Sequence, residues 1–113
     1  MDFLRRFDNS EAFFLNIKNT IDKRGSFYKI FQESSLIGNH KFSPKECYLS
    51  SSKKNVLRGF HLQVNNSIHG KVVSCIKGKV LDVLVDLREG NNFGRVFSSV
   101  LDAAKKDTIF VPK

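Results

Sequence analysis

Tryptophan is absent, and the chain of 113 residues holds only 1 Met, 2 Cys and 2 Pro. So little proline argues against a disordered, proline-rich linker, and no segment is repeated or of low complexity. Cys47 and Cys75 lie far apart in sequence, without the spacing of a zinc knuckle or a dithiol redox motif. Cys75 falls within the apolar run 72–76 and reads as a small core residue. No apolar stretch has the length of a membrane span, and no signal-type segment opens the chain. A cytoplasmic protein that uses no membrane is therefore expected.

Acidic residues are also few. Eleven Asp and Glu stand against 19 Lys and Arg, giving a net charge of +8. Such a surface serves solubility, or attracts a phosphorylated ligand or a nucleic acid. The basic residues are scattered rather than gathered into a polybasic arm, so a nucleic-acid partner is not expected.

What the chain does have is phenylalanine, 11 in all, and aromatics favour strands and dense packing. At this length one domain with one core is expected over 1–113, with 1–11 an arm or short helix and 12–113 a β-sandwich. Strand-like segments are expected at 12–17, 26–32, 46–50 and 56–63, with a polar turn at 19–25 and a loop at 34–41. The run 71–76, the turn Lys77-Gly78 and the run 79–87 form a hairpin pattern. Its second arm alternates strictly: Leu81, Val83, Val85 and Leu87 on one side face Val80, Asp82, Leu84 and Asp86 on the other. The purely aliphatic side is expected to be core, and the mixed side to line a cavity. Two more strands are expected at 97–101 and 108–111. No long stripe of helical period appears, so the fold class is all-β, an antiparallel jelly roll.

The string 50–63, Ser-Ser-Ser-Lys-Lys-Asn-Val-Leu-Arg-Gly-Phe-His-Leu-Gln, sets a hydroxyl-rich basic turn against a segment bearing Arg58 and His61. Alternation would put these two on opposite faces, but Gly59 between them suits a bulge that turns both to one pocket. Imidazoles titrate near neutrality and serve as bases, while a nearby lysine or arginine stabilises the oxyanion formed when a carbon beside a carbonyl loses its proton. With Lys71 and Asp82 on following strands, the pattern points to acid–base chemistry at carbon. A hydrogen-bonded structural histidine is the plainer alternative. A metal site is not expected, because no other histidine is spaced as a ligand to His61. Arg24, in the turn Asp22-Lys23-Arg24-Gly25, is either a solvated turn residue or a phosphate clamp. Phe27 is either core or a platform for a base.

Taken together, Asp22 to Phe27, the string 50–63, Gly70-Lys71-Val72-Val73, the run 78–88, Phe93-Gly94 and Ile109-Phe110-Val111-Pro112 resemble the dTDP-4-dehydrorhamnose 3,5-epimerase family of cupin-fold enzymes. The resemblance implies a double-stranded β-helix without metal or organic cofactor. It further implies a homodimer acting on a thymidine-diphosphate 4-keto-6-deoxyhexose, inverting C3 and C5 by proton removal next to the C4 ketone. By position, His61 would be the general base and Lys71 would sit by the enolate oxygen. Arg24 and Arg58 would bind the charged part of the substrate, Phe27 would lie against the base, and Asp82 would stand near the pocket. Two departures touch substrate-contacting positions: Lys29 replaces a usual Glu, and Glu46-Cys47-Tyr48 replaces a usual Gln-Asp-Asn. Family members also continue into a Gly-Phe-Ala-His-Gly-Phe-like stretch, then supply a tyrosine acid and an aspartate that orients the histidine. This chain is accordingly expected to lack C-terminal strands of the jelly roll and to be impaired as an epimerase. A non-catalytic module that binds a nucleotide sugar is the alternative.

Overall fold

A computed structural model describes residues 2–32, 37 and 39–113. Eight strands and two short 3-10 turns account for its regular structure, with no α-helix among the described residues. The class is all-β, with antiparallel pairing throughout. One sheet is ordered β1-β2-β8-β5, from Asp2–Arg6 (β1), Phe13–Asn16 (β2), Thr108–Val111 (β8) and Lys71–Ser74 (β5). Two hairpins accompany it: Asn19–Asp22 (β3) with Gly25–Tyr28 (β4), and Lys79–Val85 (β6) with Val96–Asp102 (β7).

Period-two alternation along β2 builds two core layers on the faces of the larger sheet. Phe14 points to one layer with Phe7, Cys75, Phe97, Leu101 and Ile109, against which Leu84 packs. Phe13 and Leu15 point to the other, with Ile37 and Phe110. The first layer joins the larger sheet to the β6–β7 hairpin. Two polar contacts pin the same junction: Ser98 N–H donates to the Asp8 carboxylate at 2.7 Å, and Arg88 Nη1 meets Glu11 at 2.6 Å.

The expected hairpin across Lys77-Gly78 does not form. β5 pairs with β8 and β6 pairs with β7, so the chain changes sheets at this corner. Hydrogen bonds on either side explain the crossing: Cys75 N–H donates to the Asp107 carbonyl, and Gly78 C=O accepts from Ala103 N–H. Both connectors stay bonded to the β7–β8 link rather than to each other. The faces of β6 are also reversed. Leu84 on the mixed face packs against the core, whereas Leu81 on the aliphatic face is 68% exposed, with Val100 opposite it at 50% and Val96, opposite Val85 further along, at 62%.

The expected turn at 19–25 is itself half of a hairpin, with only Lys23 and Arg24 between paired Asp22 and Gly25. Gly25 has φ of +131°, a region that favours glycine. The expected strands at 46–50 and 56–63 are absent: the backbone from 41 to 64 joins no ladder. A strand exists only through a neighbour's hydrogen bonds, and this segment makes no ladder bonds with the described residues. Of the expected loop at 34–41, residues 34–36 and 38 lie outside the described residues.

Candidate functional site

The β3–β4 hairpin carries an open hollow of about 400 Å³, lined by Thr20, Asp22, Arg24, Gly25, Ser26 and Phe27. Arg24, in the two-residue turn, and Phe27, on β4, both border it. Phe27 is 69% exposed, so it is not core. A flat apolar face standing in solvent beside a cation suits a ligand with both a ring and a negative charge. The hairpin is itself held to the body by Tyr28, over whose ring Lys106 Nζ sits at 4.7 Å.

Arg24 is not loose. The Asp22 carboxylate accepts from Arg24 N–H at 2.8 Å, from Nη2 at 2.7 Å and from Nε at 3.2 Å. These bonds to the guanidinium hold the Asp22 carboxyl below the usual carboxylate range. Asp22 is the residue that sequence reasoning passed over, although the Asp-x-Arg spacing was visible there and again at Asp86-Leu87-Arg88.

Arg58 is held by the serine turn before it. Its Nε–H donates to Ser52 Oγ at 2.8 Å and its Nη2 to the Ser51 carbonyl at 2.9 Å. The hydroxyl-rich turn therefore orients this guanidinium, although all these groups are exposed. His61 is exposed as well, with its ring turned back toward Gly59: a Cβ there would stand 3.6 Å from Nδ1. Lys71 opens β5 opposite Val111 and is half-buried. Asp82 lies on β6 opposite Ser99, on the face that also carries Leu84. Burial pushes its carboxyl above the ordinary value, partly offset by a hydrogen bond from backbone N–H.

The described residues thus bring Arg24 and Phe27 to one hollow. Arg58, His61, Lys71 and Asp82 are not joined to it or to one another by a hydrogen bond or ion pair among those residues. No group of three His, Cys, Asp or Glu among the described residues is placed to hold a metal ion. Among the described residues no helix is long and apolar enough to cross a membrane.

A family model described as dTDP-4-dehydrorhamnose 3,5-epimerase matches residues 8–113. The chain belongs to the dTDP-4-dehydrorhamnose 3,5-epimerase family. The family member from Salmonella typhimurium is 38% identical over 96 residues, which are 81% of this chain and 52% of that protein. The Mycobacterium tuberculosis (H37Rv) member is 35% identical over 94 residues, 80% of this chain and 46% of its own. The chain spans about half the length of these relatives. A crystal structure of the epimerase from Elizabethkingia anophelis superposes with a TM-score of 0.76 at 32% identity, over 98% of this chain and 62% of that one. The jelly-roll expectation is met by this likeness.

Proposed function

We propose that this chain binds a thymidine-diphosphate 4-keto-6-deoxyhexose and contributes the general base for epimerisation at C3, C5 or both. The observation that carries this is the likeness of nearly the whole chain to the epimerase fold. The hollow bordered by Arg24 and the Phe27 ring supports it, as does the positive charge of the molecule. In this reading Phe27 stacks on the base, while Arg24 and Arg58 take the diphosphate in bidentate fashion. The C4 ketone acidifies the neighbouring C–H. His61 takes that proton as the enolate forms, Lys71 balances the charge on the enolate oxygen, and Asp82 borders the sugar. A proton returned to the opposite face completes the inversion. The reaction as written calls on no metal or organic cofactor.

Because the described residues give His61 no carboxylate to orient it and leave it in water, these 113 residues are expected to exchange slowly at best. Loss of one general acid or base costs about 10²–10⁴ in rate. The decisive measurement is solvent-deuterium incorporation at C3 and C5 of a dTDP-4-keto-6-deoxyhexose. Slow exchange abolished by His61→Ala supports the enzymatic reading. Exchange that survives His61→Ala removes His61 from the role of base. The placement of Arg24 and Phe27 in a hollow apart from His61 favours a second reading, a non-catalytic nucleotide-sugar module, which predicts binding by calorimetry without exchange.

Pairing of two copies into a homodimer is part of the proposal, supported by the exposed Leu81, Val96 and Val100 on one sheet face. A cytoplasmic setting is also proposed, in keeping with two free cysteines.

A further inference from the structure

The chain contains the same local device twice. In Asp22-Lys23-Arg24 the carboxylate accepts the arginine's own backbone N–H at 2.8 Å and its Nη2 at 2.7 Å, with Nε at 3.2 Å. In Asp86-Leu87-Arg88 the carboxylate accepts backbone N–H at 3.0 Å, Nε at 2.9 Å and Nη2 at 2.7 Å. Both brackets occupy one edge of the guanidinium. A guanidinium carries five N–H donors in a fixed plane, so the edge bearing Nη1 remains available in each. In Arg88 that edge takes a carboxylate oxygen, Glu11 Oε2, at 2.6 Å. In Arg24 no described residue occupies it, and the side chain borders the hollow beside Phe27.

From this internal comparison we infer that Asp22 is a positioning residue for anion recognition: it fixes the Arg24 guanidinium so that its Nη1 edge is presented to a ligand phosphate, as Arg88 presents its own to Glu11. The inference rests on the nucleotide-binding reading above. A surface arginine otherwise samples many rotamers, and each is frozen only when the ligand arrives. The bracket freezes them beforehand, and the cost is a carboxylate near the incoming anion. Preorganisation is the larger effect here, since Asp22 sits on the opposite edge and its charge is already matched by the arginine.

The test is calorimetric titration of the 113-residue chain with thymidine diphosphate. Asp22→Ala raises Kd about three- to tenfold, the scale of immobilising one long side chain. Asp22→Asn retains a carbonyl oxygen for the bracket and recovers part of that loss. In an Arg24→Ala background the Asp22→Ala change adds nothing, because the two act as one unit. Asp86→Ala, the matched bracket elsewhere, leaves Kd unchanged. By NMR, the Arg24 Nε–H exchanges slowly in the unmutated chain and fast in Asp22→Ala, while the rest of the spectrum stays in place. An Asp22→Ala variant that binds as well as or more tightly than the parent overturns the inference alone, and so does an equal loss with Arg24 already removed. Absence of binding by the unmutated chain overturns the nucleotide reading and this inference with it.

Discussion

Asp82 stands apart from the other shifted carboxylates, because burial moves it upward while hydrogen bonds move Asp22, Asp86 and Asp102 downward. Burial raises its carboxyl pKa in the folded chain above the ordinary value, so the folded state holds that proton more firmly than the unfolded one. Stability therefore falls as pH rises from the ordinary value to the raised one, and the cost persists above. Asp82→Asn is expected to melt higher than the parent near neutral pH, with the gap closing below about pH 3.9. Thermal unfolding across that range checks it, and a gap independent of pH would show that burial is not the cause. A carboxylate kept at a stability cost is what a functional position looks like. Arg88 shows the opposite case. Its bonds to Asp86 hold that carboxyl low, and it bridges to Glu11 on the β1–β2 turn. The Asp86 side chain is only 10% exposed, so Arg88→Ala strands a mostly buried carboxylate and is expected to cost about 1–3 kcal/mol in denaturant unfolding.

At the scale of elements, Gly70 fixes where β5 begins. A Cβ there would stand 3.2 Å from the Phe110 ring and 3.2 Å from the Val111 carbonyl. The backbone oxygen belongs to a paired strand and cannot retreat. Gly70→Ala is expected to destabilise by about 1–3 kcal/mol and to shift Lys71, the next residue; denaturant unfolding measures the first and the Lys71 amide resonance the second. Leu101, fully buried in the layer between the sheets, is expected to cost about 2–5 kcal/mol as Leu101→Ala. Legibility in the sequence divides along similar lines. β5, β6, β7 and β8 were readable from their β-branched residues, and β2 from its aromatic run Phe13-Phe14. Pairing itself was not readable: the Lys77-Gly78 turn looks like a hairpin whether the arms meet or part. The segment 56–63 has strand-like composition, yet composition supplies no ladder partner. Arg24 and Phe27 were each legible only as one of two alternatives, turn residue or phosphate clamp and core or base platform; the hairpin that brings both to one hollow decides between them. The orientation of Arg24 by Asp22 depends on side-chain geometry that spacing only hints at.

For the molecule as a whole, charge and exposed apolar surface are the properties to test. A net charge of +8 makes affinity for thymidine diphosphate salt-dependent. Raising ionic strength from about 0.01 M to about 0.15 M shortens the screening length from about 30 Å to about 8 Å, and Kd is expected to rise accordingly in calorimetry. A salt-independent Kd would show that the positive charge of the molecule does not drive binding. The face carrying Leu81, Val96 and Val100 is expected to mediate pairing of copies, so Val100→Lys should lower the mass measured by light scattering. An unchanged mass would move the interface elsewhere.

The larger sheet has a further consequence for how the chain is made. β2 finds its second neighbour only in β8, through Phe13 opposite Phe110 and Phe14 opposite Ile109. A ribosome adding about 5–20 residues per second therefore leaves the phenylalanines of β2 without that neighbour for several seconds. During that interval the nascent chain offers sticky aromatic surface to chaperones, and late pairing of distant strands is slow by nature. Stalling synthesis just before Thr108 should leave a protease-sensitive nascent chain that becomes resistant once Val111 has cleared the exit tunnel.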